Sequence, residues 1–563
     1  MLVHCGIVIL SMTDIRGTRG EEGEDRVDGA LFATGTRHWA DIVADQVVAR
    51  FPELEVYTCA AGISPSGIVH FGNFRDVITS VAVARALSAQ GKNIRVIFSW
   101  DDFDRFRKVP ANVDPSFTQY VAMPLINIPD PTGVDMSYAR HFEKEFESSM
   151  RTAGIELEYL IQANAYTSGR YDEQMIHALQ NRTTIANLLL SFMTEKAMTE
   201  KGIDPVVYRD EFYPISVYSR FTGKDTTKVI AYDGDSTITY RCLETKKEES
   251  IDLRAEHCMK LAWKVDWPMR WKEEGVVFEP GGKDHATPGG SYDVSSRLAR
   301  TLYGVEPPLF VGYEFVGIQG LGDKMSGSKG NAVSPNQLLA IYEPTLLIWL
   351  YMRKTPDQAF SLSFDSEIYR QYEEFDREVA RYHSGELNER ERRALELAGD
   401  MNTLPSSPIP FRQAVAFGQI VQWNVQKLSS LLLDIGYEYD ERSLEVRLKL
   451  ARNWLETYNP TDMIRVRDSL NEEYLTTMSK DRKEHVRMLF TVLQKGLPTL
   501  AELEVLIYGI PKIEHLSQKE NAPLQRAFFK DVYQLLISRD TGPRLATFLS
   551  LLPPDRVQHL LNI

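Results

Sequence analysis

Two short stretches hold the residue types that chemistry on a phosphate needs. The first is PSGIVHFGN (65–73). His70 and Asn73 can donate hydrogen bonds to phosphate oxygens, and Gly67 and Gly72 let a backbone approach a ligand closely. The second is KMSGSKG (324–330), far along the chain. Two lysines, two serines and two glycines make a cationic loop suited to a polyphosphate, without the GxxxxGK[ST] spacing of a P-loop. Read singly, each has a plainer use: a histidine in a Gly-rich loop also serves structure, and a lysine-rich loop also serves as solvated surface.

These loops need elements that position them. LEVYTCA (54–60) is β-rich, and FRDVITSVAVARALSAQ (74–90) carries apolar residues at helical spacing up to Gly91, a suitable C′ residue. NIRVIFSW (93–100) reads as a second strand. The first loop therefore sits in a βαβ unit at a helix N-terminus, where N–H groups and the helix dipole favour an anion. Such a unit implies an α/β, doubly wound, Rossmann-type parallel sheet. The second half supplies a strand at VVFEPGG (276–282), a helix near 291–302 and one strand-like run, LFVGYEFVGIQG (309–320). Ser334 and Pro335 then cap a further helix. Between the halves, 107–255 reads as an inserted α+β region with a long helical stretch near 173–198. LPSSPIP (404–410) is the clearest linker, and only amphipathic helices follow it. The domains expected are a disordered tail over 1–35, a catalytic domain over 36–345, a helical connection over 346–403 and an all-helical domain over 404–563.

The 563 residues include 64 Lys+Arg, 78 Asp+Glu and 4 Cys, with 43% hydrophobic and 25% charged residues. This is ordinary globular composition. No stretch has the roughly 18 uncharged apolar residues of a membrane span. Four cysteines without a CxxC pair exclude a disulfide scaffold and a four-cysteine zinc knuckle. The net charge of −14 argues against a general nucleic-acid coat, but it is uneven. Residues 401–563 hold 20 basic and 19 acidic side chains, so this third repels a polyanion least.

A His-x-Gly-Asn loop after the first strand and a Lys-Met-Ser loop after the last resemble the two signatures of class I aminoacyl-tRNA synthetases. FSWDDFDRFRKVP (98–110), WKVDWPMRW (263–271), FEPGGKDHATPGGSYD (278–293) and GYEFVGIQGLGDKMSGSKGN (312–331) narrow the resemblance to the class I lysyl-tRNA synthetases. It runs from about Trp39 to Arg353 and more loosely beyond, through IPFRQAVAFGQIVQWN (409–424). It implies a cytoplasmic, monomeric ligase that takes L-lysine, ATP with Mg²⁺ and tRNA(Lys), and neither DNA nor membrane. Lysyl-adenylate forms first, and the lysyl group then passes to the terminal ribose, on its 2′-OH.

The same resemblance implies roles. His70, Asn73, Lys324 and Lys329 are the expected catalytic contacts. Pro65, Gly67, Gly72, Gly282, Asp284, Met325, Ser326, Gly327 and Ser328 complete the ATP site, with Asp284 equally suited to a structural role. Gly62, Ser64, Asp102, Trp263, His285 and Tyr313 are nominated for lysine, Asp102 for its α-ammonium; Trp263 and Tyr313 also suit core packing. Gly327 stands where the signature has a lysine, and Lys329 is expected to supply that charge. Some relatives hold zinc with cysteine pairs in the insertion; FYPISVYSRFTGKDTTK (212–228) has none, so no structural zinc and no other metal site is expected. The helical domain is expected to read the anticodon, with Trp423, Trp454, Tyr437 and Tyr458 as stacking candidates. Competing readings are a glutamate or glutamine enzyme, a small nucleotidyltransferase, and an inactive paralogue.

Overall fold

The computed structural model describes residues 25–27, 29, 32, 35–200, 202–319, 333–405, 407–434 and 436–563. The whole KMSGSKG loop (Lys324, Met325, Ser326, Gly327, Ser328, Lys329) lies outside the described residues.

Strands β1 (Tyr57–Ile63), β2 (Ile94–Trp100) and β3 (Glu158–Ile161) pair with β9 (Val276–Gly282) and β10 (Leu309–Tyr313) in a wholly parallel sheet of order β10-β9-β1-β2-β3. The period of two along a strand explains its burial on both faces. Cys59, Ala61, Phe98, Trp100, Leu309 and Val311 face one core. Their neighbours Ala60, Ile97 and Phe310 face the other, with Trp267, Trp271 and Tyr292. Helix α1 (Trp39–Arg50) precedes β1, α2 (Phe71–Ala89) joins β1 to β2, and α3 (Tyr138–Thr152) joins β2 to β3. Helix α2 buries Phe74, Val77, Ile78 and Val81, each worth about 1.5–3 kcal/mol. It ends before Gly91, whose φ of 77° takes the chain into the left-handed region. Strand order reverses between β1 and β9, so a crevice opens beyond Ile63 and Gly282, where open α/β sheets bind ligands.

Several expectations need correcting. The insertion is shorter than 107–255, because α3 and β3 belong to the main sheet: Ile97 pairs with Glu158 and Trp100 with Ile161. What is inserted begins at Gln162, with helices as far as Glu211 and two small antiparallel sheets, β4 (Ile215–Val217) with β8 (Met259–Leu261) and β5 (Thr227–Tyr232), β6 (Thr237–Cys242), β7 (Glu248–Asp252). The helical stretch near 173–198 is three helices, the first two sharing Asn181 as cap. LFVGYEFVGIQG is two strands in two sheets: after β10 the Glu314 N–H donates to the Pro356 carbonyl, and β11 (Val316–Gln319) pairs with β12 (Phe360–Ser363). The proposed tail already belongs to the fold at Asp25, whose carboxylate pairs with Arg50 and Arg300 while its carbonyl accepts from Phe310 N–H. Phe32 is buried as well.

LPSSPIP does not separate two cores. Ile409, Phe411 and Trp454 continue the core of the catalytic sheet, with Phe411 stacked on Tyr372 at 4.0 Å. Buried Arg447 pairs with Glu343 and Asp376, and Trp454 Nε1–H donates to the Phe364 carbonyl, which makes Trp454 structural. A separate core starts near Met478 and runs to Leu561. Beyond β12 the described residues are helices and loops.

A chain ending after residue 400 loses Arg447, leaving its acidic partners uncompensated at about 3–5 kcal/mol. It is expected to aggregate or melt far below the full chain, whereas one ending after Ile464 keeps a cooperative transition by calorimetry. Equal melting of the shorter chain and the full one would refute the shared core.

Candidate active site

Two adjoining cavities lie beyond the strand ends. The first, about 220 Å³, is bounded by Gly62, Asn73, Asp76, Trp263, Glu279, Gly281, Gly282, His285 and Tyr313. The second, about 400 Å³, is bounded by Ser64, Gly67, His70, Asn73, Arg105, Arg107 and Lys108. Asn73 belongs to both.

The PSGIVHFGN loop builds the second cavity. His70 is the N-cap of α2: its Nδ1 accepts from Gly72 N–H at 3.1 Å. This fixes the tautomer, so Nε2 carries the proton and is the donor. Burial lowers the pKa of His70 and favours the neutral ring. A Cβ on Gly72 would lie 2.8 Å from Nδ1, so glycine is needed for the cap. Pro65 is buried and shapes the loop. Arg105, Arg107 and Lys108 make the opposite wall cationic. Sequence reasoning missed them, although DRFRK (104–108) offers three basic residues just after β2.

The first cavity is acidic and aromatic. Trp263 stacks on Trp267 (5.1 Å, 20° between planes) and is 37% exposed, so it lines the cavity and is not core. Glu279 accepts from Trp267 Nε1–H (3.0 Å) and Trp271 Nε1–H (2.6 Å). Burial pushes its carboxyl up to about 7 against those donors. Asp76 accepts from Gly62 N–H (3.4 Å) and is hydrogen-bonded to Tyr313. Burial first, and the neighbouring Glu279 second, hold its carboxyl well above the usual range. Among the described residues no cation pairs with either. Neither was foreseen; the signal was a lone acid in an apolar helix and in an apolar strand.

Asp102 is the clearest correction. It is fully buried outside both cavities, its Oδ1 accepting from Ala163 N–H at 2.8 Å, and burial brings its carboxyl to about 7. Asp101 faces the first cavity instead and is ion-paired with Arg270, which also holds Asp266. Ser64, nominated for lysine, lies with the His70 loop. Asp284 is exposed at the rim, its Oδ1 2.7 Å from where a Cβ on Gly282 would stand. Asp130, Asp135 and His141 also cluster, but Asp130 is taken up by bonds from Thr132, Val134 and Asp135.

Residues 37–400 match the family model described as tRNA synthetases class I (K). The chain belongs to the class I tRNA synthetases of the lysine type. It is 36% identical to the lysine–tRNA ligase of Streptomyces coelicolor, over 94% of this chain and 99% of that protein. It is 34% identical to the ligase of Borrelia garinii subsp. bavariensis, covering 94% and 99%, and 34% identical to that of Pyrococcus horikoshii, covering 92% and 97%. In a family built on nucleotide chemistry, an anion-binding helix N-terminus beside a cationic wall has an evident use.

Gly72→Ala displaces the His70 ring from its cap and misplaces its Nε2 donor. Misplacement of about 1 Å can cost about 10² in rate. Adenylate formation is expected to fall by about that factor, with lysine binding by calorimetry nearly unchanged. A parental rate would show that the cap does not position the donor.

Proposed function

We propose that this synthetase ligates L-lysine to tRNA(Lys), as a cytoplasmic monomer, with the two cavities dividing the substrates of the first step. The observation that carries the reading is the meeting of an acidic cavity and a cationic one at Asn73. Lysine lies in the first. Its stem packs against the Trp263 face, which suits an alkyl chain ending in a charge, and its ε-ammonium meets Asp76 and Glu279. A substrate ending in a carboxylate is repelled there, which disfavours glutamate.

ATP lies across the second cavity and the Gly281–Gly282 edge. His70 Nε2–H, Asn73, Arg105, Arg107 and Lys108 face its phosphates, and Asp284 and His285 stand at the nucleoside end. Among the described residues the carboxylate on this wall is that of Asp104, which is bound to Lys260. Mg²⁺ would be carried mainly by the phosphates and water. The lysine carboxylate oxygen attacks the α-phosphorus. That bond forms as the bond to the bridging oxygen breaks, and pyrophosphate leaves with the charge. No side chain acts as nucleophile, so the rate comes from positioning and charge neutralisation. A hydroxyl of the tRNA's terminal ribose then attacks the adenylate carbonyl and AMP leaves. The helical C-terminal part takes the anticodon; Val505 and Tyr508, 76% and 51% exposed, offer surface for unpaired bases.

Glu279 gives a pH test. Burial pushes its carboxyl up to about 7 when no ligand is bound. An ammonium binds the ionised form, so lysine KM is expected to rise as pH falls below about 7, up to tenfold per unit for one proton. Glu279→Gln should raise lysine KM by about 10–100-fold, the worth of a charged hydrogen bond, and flatten that profile. An unchanged KM would remove Glu279 from the lysine site.

Charge develops on pyrophosphate only during adenylation. Lys324→Ala and Lys329→Ala are each expected to slow that half-reaction by about 10²–10³ and to spare transfer from preformed adenylate. The double variant should be less than additive. Pre-steady-state measurement of both half-reactions decides; a parental rate for Lys329→Ala leaves Lys324 to act alone.

A further inference from the structure

Two turns of the insertion share one backbone pattern. In the first, Ser219 N–H donates to the Lys224 carbonyl, and Gly223 N–H donates back to the Ser219 carbonyl. In the second, Cys242 N–H donates to the Lys247 carbonyl, and Lys246 N–H donates back to the Cys242 carbonyl. Each turn places its fifth residue in the left-handed region, Gly223 at φ 72° and Lys246 at φ 63°. The second of these is unusual for a residue with a Cβ. Side chains match as well. Ser219 Oγ accepts from Phe221 N–H (3.2 Å) and Thr222 Oγ1 from Lys224 N–H (3.3 Å). Cys242 Sγ accepts from the backbone of Glu244 and Thr245, and Thr245 Oγ1 accepts from Lys247 N–H (3.4 Å).

The turns meet. Ser219 and Cys242 are both fully buried and hydrogen-bonded to each other, and the Thr245 side chain also bonds to Cys242. Burial pushes the thiol up, but these donated bonds outweigh it and bring Cys242 down to about 6. Two such turns beside a three-stranded antiparallel sheet, with paired positions at 219/222 and 242/245, have the spacing of a C-x₂-C…C-x₂-C metal site. The donor set does not fit a metal. Tetrahedral zinc wants four thiolate or imidazole donors, whereas three of these corners are neutral hydroxyls.

We propose that Ser219, Thr222, Cys242 and Thr245 form a hydrogen-bonded clasp where four thiolates would hold a tetrahedral zinc, and that this chain closes its insertion by those bonds and takes no metal. The thiol is the hub: the buried Ser219 hydroxyl, the Thr245 hydroxyl and the Glu244 and Thr245 N–H groups all converge on it.

The test uses the full chain. The parent, purified and dialysed, is expected to carry no stoichiometric zinc, to show no thiolate-to-cobalt bands with Co²⁺, and to melt at the same temperature with and without chelator. The triple variant Ser219→Cys, Thr222→Cys, Thr245→Cys, with Cys242 retained, should bind one Co²⁺ with those bands and exchange it for Zn²⁺. One tightly held zinc per parent chain, or a folded triple variant that binds none, overturns the proposal. Should the triple variant not fold, single variants decide. Cys242→Ser keeps an acceptor and should melt near the parent, while Cys242→Val leaves four donors unpaired and should melt several degrees lower. Equal melting of these two would also overturn it.

Discussion

The buried guanidinium of Arg270 joins three parts of the molecule. It holds Asp101, at the end of β2, and Asp266, one turn before it on the helix Trp263–Glu274. Asp266 accepts from Tyr166 of the insertion and lies 3.7 Å from Lys260 on β8, which binds Asp104 beyond β2. Sheet, insertion and the helix bearing the three tryptophans therefore share one network. Its charges also sort the acids of the site. Asp101 is neutralised internally, whereas Asp76 and Glu279 keep only neutral hydrogen-bond partners among the described residues. Taking ions out of water is unfavourable unless they are paired. A pocket that leaves two acids open is thus biased towards a cationic ligand, and it selects by charge before shape.

The second cavity uses the opposite device. The His70 side chain is tied to its own helix, and this cap does more than end a helix. It withdraws Nδ1 from competition and leaves Nε2–H as the free donor, while burial lowers the ring's pKa and favours its neutral form. The positive charge comes from Arg105, Arg107 and Lys108 on a different loop. Orientation and charge thus come from different segments.

How much of this was legible follows from what short-range patterns encode. VVFEPGG and the helix after His70 were readable because they are mostly apolar and their ends are punctuated by glycine. The Rossmann-type sheet followed from strand–helix–strand order, and the family from two loops and several long matching stretches. What failed depended on register or on distant partners. Which residue of the Asp101–Asp102 pair faces the cavity is set by the path of the chain after β2, which no spacing shows. β3 is only four residues long and does not stand out, and it is a strand because it pairs with β2. LPSSPIP has linker composition, yet Ile409 and Phe411 are buried. Asp76 and Glu279 were passed over because each reads as a single polar residue in an apolar element, although a lone acid in such a place is itself a signal of a site.

The inserted region reaches the chemistry through few contacts. Tyr218, next to the clasp residue Ser219, donates its hydroxyl proton to the Phe103 carbonyl at 2.6 Å. Asp225, just beyond the same turn, lies 3.4 Å from Arg105, and its N–H donates to the Ala122 carbonyl. The first turn thus touches the segment 101–108 that presents Arg105, Arg107 and Lys108, at the Phe103 carbonyl and at the Arg105 guanidinium. Donors aimed at a developing charge are most effective when they need not reorganise as the charge appears. A loop with two arginines and a lysine, left to itself, would pay side-chain and backbone entropy to converge on one phosphate chain. Backing it with a turn that is itself closed by converging hydrogen bonds shifts that ordering cost to folding, before substrate arrives.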